Sequence, residues 1–442
     1  MDINKDFIGS FSFDWRLASF DIMGSLAHVK MLVRQRIIPV ADGAKISRGL
    51  LAIQADMAKG WKLPVEEDIH YAIEKELIRR IGPVGGKMHT ARSRNDQVAL
   101  DLRLYLRDAT RTIADLLADV QTAIVDLAAK HTAVVMPGYT HLQPAQPVLF
   151  AHYMLAYAWM FQRDRERLAD CLKRVNILPL GSAALAGTSF PIDRRYVAQL
   201  LHFDGVSDNS MDAMGDRDFA VEFLADASII AMHLSRLCEE LIVWSSAEFG
   251  FIRIADKYTS GSSIMPQKRN PDVAEIIRGK TGRVYGNLTA LLTLMKGIPL
   301  SYNRDMQEDK PPVFDTVETM QMALSVAAPM IHGITVNVDA MHTAVGRGFI
   351  CATELADYLT RKQMPFRDAH ACVQSMVAHC EKKGMKLGDL SIVELQGFSK
   401  LFESDVLPCL VPETVVTVKR SLGGTAPQSV SAQIARLRKL TK

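Results

Sequence analysis

The sequence predicts an all-α fold with a bundle of long helices at its centre. Three long segments, residues 87–136, 148–178 and 216–249, contain neither glycine nor proline, and such segments favour helix. Few stretches alternate apolar and polar residues with period two, so strands should be minor elements. With 442 residues, the chain also exceeds the size that one compact core usually supports.

The first long segment has the clearest helical periodicity. Its apolar residues recur every three, four or seven positions, which places them on one helical stripe. They are Leu102, Leu106, Ile113, Leu117, Val120, Ile124 and Leu127. A helix over residues 97–130 would be about 50 Å long at ~1.5 Å per residue. Helices this long leave apolar surface uncovered in a single chain, so we expect an oligomer.

Two more helices are expected further along the chain. One begins near Pro271, where Asn270 can cap it, and the other covers residues 313–341. The first of them carries glycines at a spacing that lets another helix approach closely. These are Gly279, Gly282 and Gly286. Segments rich in Gly, Pro, Ser and Gln are predicted to be loops. They are residues 137–147, 178–191 and 260–271.

This pattern predicts three domains. Residues 1–94 form an N-terminal helical domain, and residues 95–343 form the central domain of long helices. From about Gly346, glycines and prolines break the chain into shorter helices, so residues 344–442 are expected to form a small C-terminal domain.

Composition excludes several classes of partner. The 52 basic and 49 acidic residues give a net charge of +3, too balanced to indicate a nucleic-acid or membrane-surface partner. The six cysteines show no regular spacing, so neither a disulfide framework nor a zinc site is indicated. No metal and no cofactor are therefore expected. The first ten residues lack a long apolar core, and together these features favour the cytoplasm.

Residues 261–271 are the segment best suited to chemistry, and they read Gly-Ser-Ser-Ile-Met-Pro-Gln-Lys-Arg-Asn-Pro. The amides of such a loop can gather round an oxyanion, and Lys268 and Arg269 add positive charge. The loop could bind a carboxylate and activate a serine. The alternative is a solvated turn that only caps the helix at Pro271.

Three other polar segments could form a site with this loop. Residues 89–97 place two arginines and an amide at the start of a long helix, where the dipole favours an anion, although Ser93, Asn95 or Asp96 could act only as an N-cap. Residues 138–147 hold a histidine in a proline-flanked loop, which suits proton transfer or a purely structural role. Residues 302–310 mix groups suited to a zwitterionic amino acid.

These segments together carry a resemblance to a known family. Residues 261–271 resemble the shared Gly-Ser-Ser-x-Met-Pro-x-Lys-x-Asn-Pro loop of the fumarase/aspartase superfamily. Residues 89–97, 138–147 and 302–310 are similar to the corresponding segments of its argininosuccinate lyase family. That resemblance implies an all-helical, cofactor-free lyase that releases arginine and fumarate, with each site built from three chains of a homotetramer.

The resemblance also implies roles for individual residues. The catalytic group is His141, Ser262, Lys268 and Glu275. Ser262 would act at the reacting carbon with help from Lys268, and His141 would handle the proton at the departing nitrogen, oriented by Glu275. Which of Ser262 and His141 is the base stays open. The substrate contacts are Ser10, Arg94, Asn95, Thr140, Tyr302, Gln307 and Lys310.

Two alternatives remain at this point. The chain could be another fumarate-releasing lyase of the superfamily, such as adenylosuccinate lyase, although residues 89–97 and 302–310 argue against this. It could instead be a non-catalytic homologue of the kind found among lens crystallins. The presence of all four catalytic residues argues against that second reading.

Overall fold

A computed structural model describes residues 7–441, and it confirms that these residues are mainly helical. Residues 1–6, the start of the predicted N-terminal domain, lie outside the described residues. The α-helices are α1 (Phe11–Asp14), α2 (Ala18–Arg34), α3 (Val40–Ala58), α4 (Ile69–Ile81), α5 (Arg94–Lys130), α6 (Phe150–Val175), α7 (Arg194–Leu201), α8 (Ser210–Gly215), α9 (Asp218–Ser245), α10 (Asp272–Met295), α11 (Lys310–His332), α12 (Val338–Val345), α13 (Ala352–Arg361), α14 (Phe366–Lys383), α15 (Ile392–Phe398), α16 (Pro412–Val418) and α17 (Pro427–Leu440).

Strands in the described chain are short and pair only two at a time. They are β1 (Val135–Thr140), β2 (Gln143–Leu149), β3 (Ile177–Leu178), β4 (Gly205–Val206), β5 (Ile252–Arg253), β6 (Ser260–Gly261), β7 (Arg269–Asn270) and β8 (Thr335–Val336). β1 pairs with β2, β5 with β8 and β6 with β7, all antiparallel, whereas β3 and β4 are parallel.

The predicted long helices are confirmed. The three segments without glycine or proline contain α5, α6 and α9, and α10 begins one residue after Pro271. All seven residues of the predicted apolar stripe on α5 are buried. Apolar neighbours thus cover one face of helix α5. Burial of such a face is the main source of helix stability in proteins.

Two local predictions were wrong. Residues 137–147 were expected to be a loop, yet they belong to the β1–β2 hairpin. Prolines are tolerated there because each strand of a two-stranded ribbon has an open edge that needs no amide donor. The single helix expected over residues 313–341 is two helices, because α11 ends at His332 and Gly333 follows it before the short strand β8.

By contacts between Cα atoms, the chain divides into two compact units. The first contains Met1–Asp115, Asp164–Ala231 and Lys280–Met322. The second contains Leu116–Arg163, Met232–Gly279 and Ala323–Lys442. Within the second, α13, α14 and α15 share an apolar core that includes Leu355, Met376 and Phe402. The predicted three-domain boundaries stay a prediction.

None of the helices within residues 7–441 is both long enough and apolar enough to cross a bilayer.

Candidate active site

In the second unit, a tight turn holds the predicted catalytic histidine. Thr140 pairs with Gln143, so His141 and Leu142 alone connect β1 to β2. Both residues have positive φ, 55° and 57°, as a two-residue hairpin turn of this type requires. Such positions usually hold glycine or asparagine, and another residue there costs about 1–2 kcal/mol. The hairpin therefore holds His141, together with Thr140, at an exposed tip.

The base of this hairpin is well anchored within the second unit. Met136 and Leu149 are buried, and the backbone N–H of Leu149 donates to the Thr425 hydroxyl at 2.8 Å. The Tyr139 ring packs against Phe249 with their centroids 5.8 Å apart. A buried, hydrogen-bonded base can hold the strained tip in a single position.

The predicted catalytic serine lies in the loop between β6 and β7. The Ser262 hydroxyl oxygen accepts hydrogen bonds from the backbone N–H of Ile264, at 3.3 Å, and of Met265, at 3.0 Å. Two amide donors aimed at one oxygen stabilise negative charge on that oxygen. The same two bonds form in an ordinary serine turn, so the activation of Ser262 stays a prediction.

Charged side chains surround this loop. Lys268 donates to the Asn270 side chain at 2.7 Å, and Arg269 forms an ion pair with Asp256. Glu275 lies in the first turn of α10. Lys268 and Glu275 are both exposed. Ser262 is half-buried, and the residues that follow it up to Arg269 are exposed.

The predicted contact between Glu275 and His141 is not made within one chain. Over residues 7–441, neither side chain forms a hydrogen bond in the structure, and both are exposed. An exposed loop and an exposed hairpin tip can still meet residues of another chain, so the orienting role of Glu275 stays a prediction.

The first unit holds the other predicted substrate contacts. Arg94 and Asn95 open α5, where Ser93 accepts from the Asn95 N–H at 3.2 Å and Asp96 accepts from the Ser93 N–H at 2.9 Å. Capping and binding positions therefore coexist. Arg94 lies 3.4 Å from the Asp68 carboxylate, measured from Nε to Oδ2.

Ser10 and the 302–310 segment lie near the same place. The Ser10 hydroxyl donates to Asp14 at 2.6 Å, and the other Asp14 oxygen accepts from the N–H of Ile69, the neighbour of Asp68. The Gln307 side chain donates to the Ile8 carbonyl at 3.1 Å. These bonds bring Ser10, Arg94 and Gln307 together around the start of α4.

Lys310 belongs to a buried group of charges that the sequence did not reveal. Its ammonium donates to Asp309 at 2.8 Å, and Asp309 also pairs with the guanidinium of Arg217. Burial alone would raise the pKa of Asp309, but the positive charges of Lys310 and Arg217 outweigh it and hold that pKa below its usual range. Asp309 thus fixes the position of Lys310.

Replacing Asp309 with alanine should strongly reduce stability. Arg217 and Lys310 would be left buried without their carboxylate, which costs about 3–5 kcal/mol of unfolding free energy. The folded pKa of Asp309 is depressed, so the part of its stabilisation that depends on ionisation is complete above the unfolded value of about 3.9 and disappears as the pH falls through the folded pKa. Urea unfolding of the wild type and of Asp309→Ala, from pH 7 to pH 3, measures this difference in the free energy of unfolding.

Asp170→Ala is the matched control, because it breaks the exposed pair with Lys173. It should leave the urea midpoint nearly unchanged. A similar midpoint for both variants at pH 7 would show that the Asp309 group does not stabilise the fold.

Two family models match this sequence. One, described as Lyase, matches residues 3–286, and the other, described as Argininosuccinate lyase C-terminal, matches residues 349–417. The argininosuccinate lyase of Oceanobacillus iheyensis is 54% identical over 441 residues, which cover 99% of this chain and 96% of that relative.

Solved structures agree with these matches. EDDS lyase in complex with formate has a TM-score of 0.87 at 29% identity, over 97% of this chain and 87% of that one. A fumarate lyase from Mesorhizobium sp. BNC1 has a TM-score of 0.79 at 19% identity, over 95% of each chain, and so shares the fold. The predicted fumarase/aspartase-like fold is confirmed.

Proposed function

The chain belongs to the argininosuccinate lyase family, and we propose that it splits argininosuccinate into arginine and fumarate, the last step of arginine biosynthesis. It is a lyase, and its substrate is a small molecule. The observation that carries this proposal is the 54% identity to a named argininosuccinate lyase along almost the whole chain. The four segments that could form a site are all intact.

Cleavage requires the removal of a carbon-bound proton next to a carboxylate. That proton is a very weak acid in water, so the site must stabilise the doubly charged intermediate that forms. Each preorganised donor can contribute about 3–4 kcal/mol to such a charge. We propose that Ser262 acts at this carbon, with its oxygen stabilised by the amides of Ile264 and Met265 and with Lys268 nearby.

The second proton transfer occurs at the departing nitrogen. Imidazole changes its charge near neutral pH, so His141 is suited to this step. The electron pair of the broken C–H bond becomes the C=C bond of fumarate. The carbon–nitrogen bond breaks, its electrons leave with the guanidino nitrogen, and that nitrogen gains the proton that restores arginine. Glu275 would orient the imidazole.

The substrate carboxylates and amino-acid group need cationic and polar partners. We propose that Ser10, Arg94, Asn95, Tyr302, Gln307 and Lys310 supply these from the first unit, and Thr140 from the hairpin tip. Support comes from the hydrogen bonds that gather Ser10, Arg94 and Gln307 around α4.

We further propose a homotetramer in which Ser262, His141 and Arg94 of one site come from three chains. The surface of α10 supports this, because it exposes the apolar side chains of Ile276, Tyr285 and Leu292, which are 43–60% exposed. A Cβ added at Gly279, Gly282 or Gly286 of that helix would meet nothing within 4 Å. Long helices of several chains could pack there into one core.

Localisation in the cytoplasm is also proposed. All six cysteines are free thiols, and Cys171, Cys238, Cys351 and Cys380 are buried. Unpaired buried thiols are typical of proteins from a reducing compartment.

The direct test mixes purified protein with argininosuccinate and follows fumarate by its ultraviolet absorbance. Fumarate should form from argininosuccinate and not from adenylosuccinate, malate or aspartate. Dialysis against a chelator should leave the rate unchanged, since no step uses a metal. Fumarate from adenylosuccinate alone would assign a different lyase, and no turnover of any substrate would favour a structural homologue.

A further inference from the structure

A continuous line of hydrogen bonds connects Arg94 to the interior of the first unit. The Arg94 guanidinium donates from Nη1 to the side-chain oxygen of Gln97 at 2.6 Å. The Gln97 amide nitrogen in turn donates to the Asp21 carboxylate. Arginine only donates and carboxylate only accepts, so one orientation of the Gln97 amide satisfies both neighbours. Gln97 is itself buried, with 1% of its surface exposed.

Asp21 belongs to a buried cluster that the proposed chemistry does not use. His70 Nδ1 lies 3.3 Å from Asp21 Oδ1 and 3.1 Å from Asp101 Oδ2, and all three side chains are at most 1% exposed. Burial would lower the pKa of His70, but its contacts with Asp101 and Asp21 outweigh that and raise it well above the usual range. The imidazole thus lies between two acidic side chains, and burial together with the charge of Asp21 raises the pKa of Asp101 to about 7.

This cluster ties three helices together beneath the Arg94 side chain. Asp21 belongs to α2 and His70 to α4, while Gln97 and Asp101 lie four residues apart on one face of α5. Removing one member would leave a buried charge or donor without its partner, which costs several kcal/mol in such clusters. Asp21 is therefore a fixed acceptor for Gln97.

Helix α4 also contacts Arg94, through Asp68 at its N-terminal end. Asp68 caps α4 by accepting from the Tyr71 N–H at 2.6 Å, and its other oxygen is the one 3.4 Å from Arg94 Nε. His70, two residues after Asp68, fixes the start of α4 against α5. Glu74, also on α4, is a third neighbour of the guanidinium, with its Oε2 3.6 Å from Arg94 Nη2.

We propose that Gln97 is a positioning residue that holds the Arg94 guanidinium ready to meet a substrate carboxylate, with the Asp21–His70–Asp101 cluster as its anchor. This rests on the proposed function, in which Arg94 binds substrate. Fixing a long side chain before binding removes an entropic cost of roughly 0.5–1.5 kcal/mol that each immobilised side chain otherwise adds. Gln97 should thus affect affinity and leave the chemical step alone.

The same three side chains could in principle hold a metal ion, since one ligand atom of each lies within 4.8 Å of the others. Two observations argue against a metal ion. Gln97 already donates to Asp21, and, although burial raises the pKa of Asp21, His70 and then the nearby charge of Arg92, which is 7% exposed, outweigh it and lower that pKa. A buried guanidinium next to the carboxylates repels a second cation.

The test is a double-mutant cycle measured by steady-state kinetics with argininosuccinate. Gln97→Met keeps the length of the side chain, and methionine is also a good helix former. The substitution removes both hydrogen bonds of the Gln97 side chain. It should raise KM about tenfold, as expected when an ordered side chain is set free, and leave kcat within about threefold. Arg94→Gln should raise KM further, and the double variant should match Arg94→Gln alone.

Thr110→Val is the matched control, because it removes a buried hydroxyl that bonds to the Leu106 carbonyl on the same helix. It should leave KM unchanged. If Gln97→Met does not fold, Gln97→Asn keeps the amide on a shorter side chain that cannot reach both Arg94 and Asp21, and a rise in KM is again expected.

Several results would overturn the inference. An unchanged KM in Gln97→Met beside a raised KM in Arg94→Gln would remove Gln97 from substrate binding while leaving the proposed function intact. If the increases in KM of the two single variants multiply in the double variant, Gln97 does not act through Arg94. One metal ion per chain, lost in Asp101→Asn, would replace the hydrogen-bonded anchor with a metal site. Arg94→Gln with a normal KM would instead contradict the proposed role of Arg94.

Discussion

Ser262→Ala should lower kcat by about 10³-fold or more, the range expected when a group that transfers a proton in the transition state is removed. The hydroxyl oxygen that accepts from the Ile264 and Met265 amides would be lost, while the loop backbone stays in place. The KM for argininosuccinate should change little, because the proposed carboxylate partners lie elsewhere. Initial rates of fumarate release measure both constants.

Ser246→Ala serves as its control. Ser246 lies in the same unit and its hydroxyl bonds only to nearby backbone, donating to the Val243 carbonyl at 2.7 Å. That variant should keep normal turnover. Turnover of Ser262→Ala within a few-fold of the wild type would remove the serine from the mechanism.

His141→Asn should lower kcat by roughly 10²–10⁴-fold, since proton transfer at the leaving nitrogen loses its catalyst. Asparagine is chosen because it tolerates the positive φ of this turn at least as well as histidine does. The hairpin should therefore keep its shape, and circular dichroism and the melting temperature should match those of the wild type.

A second histidine in the same backbone conformation provides the control. His202 follows α7 with a φ of 58°, is exposed, and lies outside the proposed site. His202→Asn should leave kcat and KM unchanged. Equal, small effects of the two substitutions would mean that His141 has only a structural role at the turn.

The long helices could be predicted because their sequences lack the residues that interrupt a helix. Residues 87–136, 148–178 and 216–249 lack glycine and proline, and the stripe on α5 repeats with helical spacing. The β1–β2 hairpin was missed because its prolines indicated a loop, and pairing along the open edges of a two-stranded ribbon is not visible in a local pattern. Tertiary context decided that segment.

The residues of the site could be predicted from the sequence, but most of the contacts between them could not. Family resemblance named Ser262 and His141, but Glu275, the predicted partner of His141, makes no hydrogen bond to it within one chain, so the resemblance alone did not give the geometry. Gln97 could have been predicted as a neighbour of Arg94, since a residue three positions later on a helix shares its face. Asp309 and Arg217 are far apart in sequence, so their ion pair needed the fold.

The central claim is that Ser262 of one chain and His141 of another meet at one substrate. Coexpression of Ser262→Ala and His141→Asn chains that carry different tags, followed by purification through both tags, isolates mixed oligomers. Each parent variant, made with both tags, is the control and should stay inactive.

If the two residues of a site come from different chains, random mixing gives about a quarter of the sites both intact groups, so activity should return to near that fraction of wild type. If both came from one chain, every site would keep one defect. Mixed oligomers that are as inactive as their parents would contradict the account.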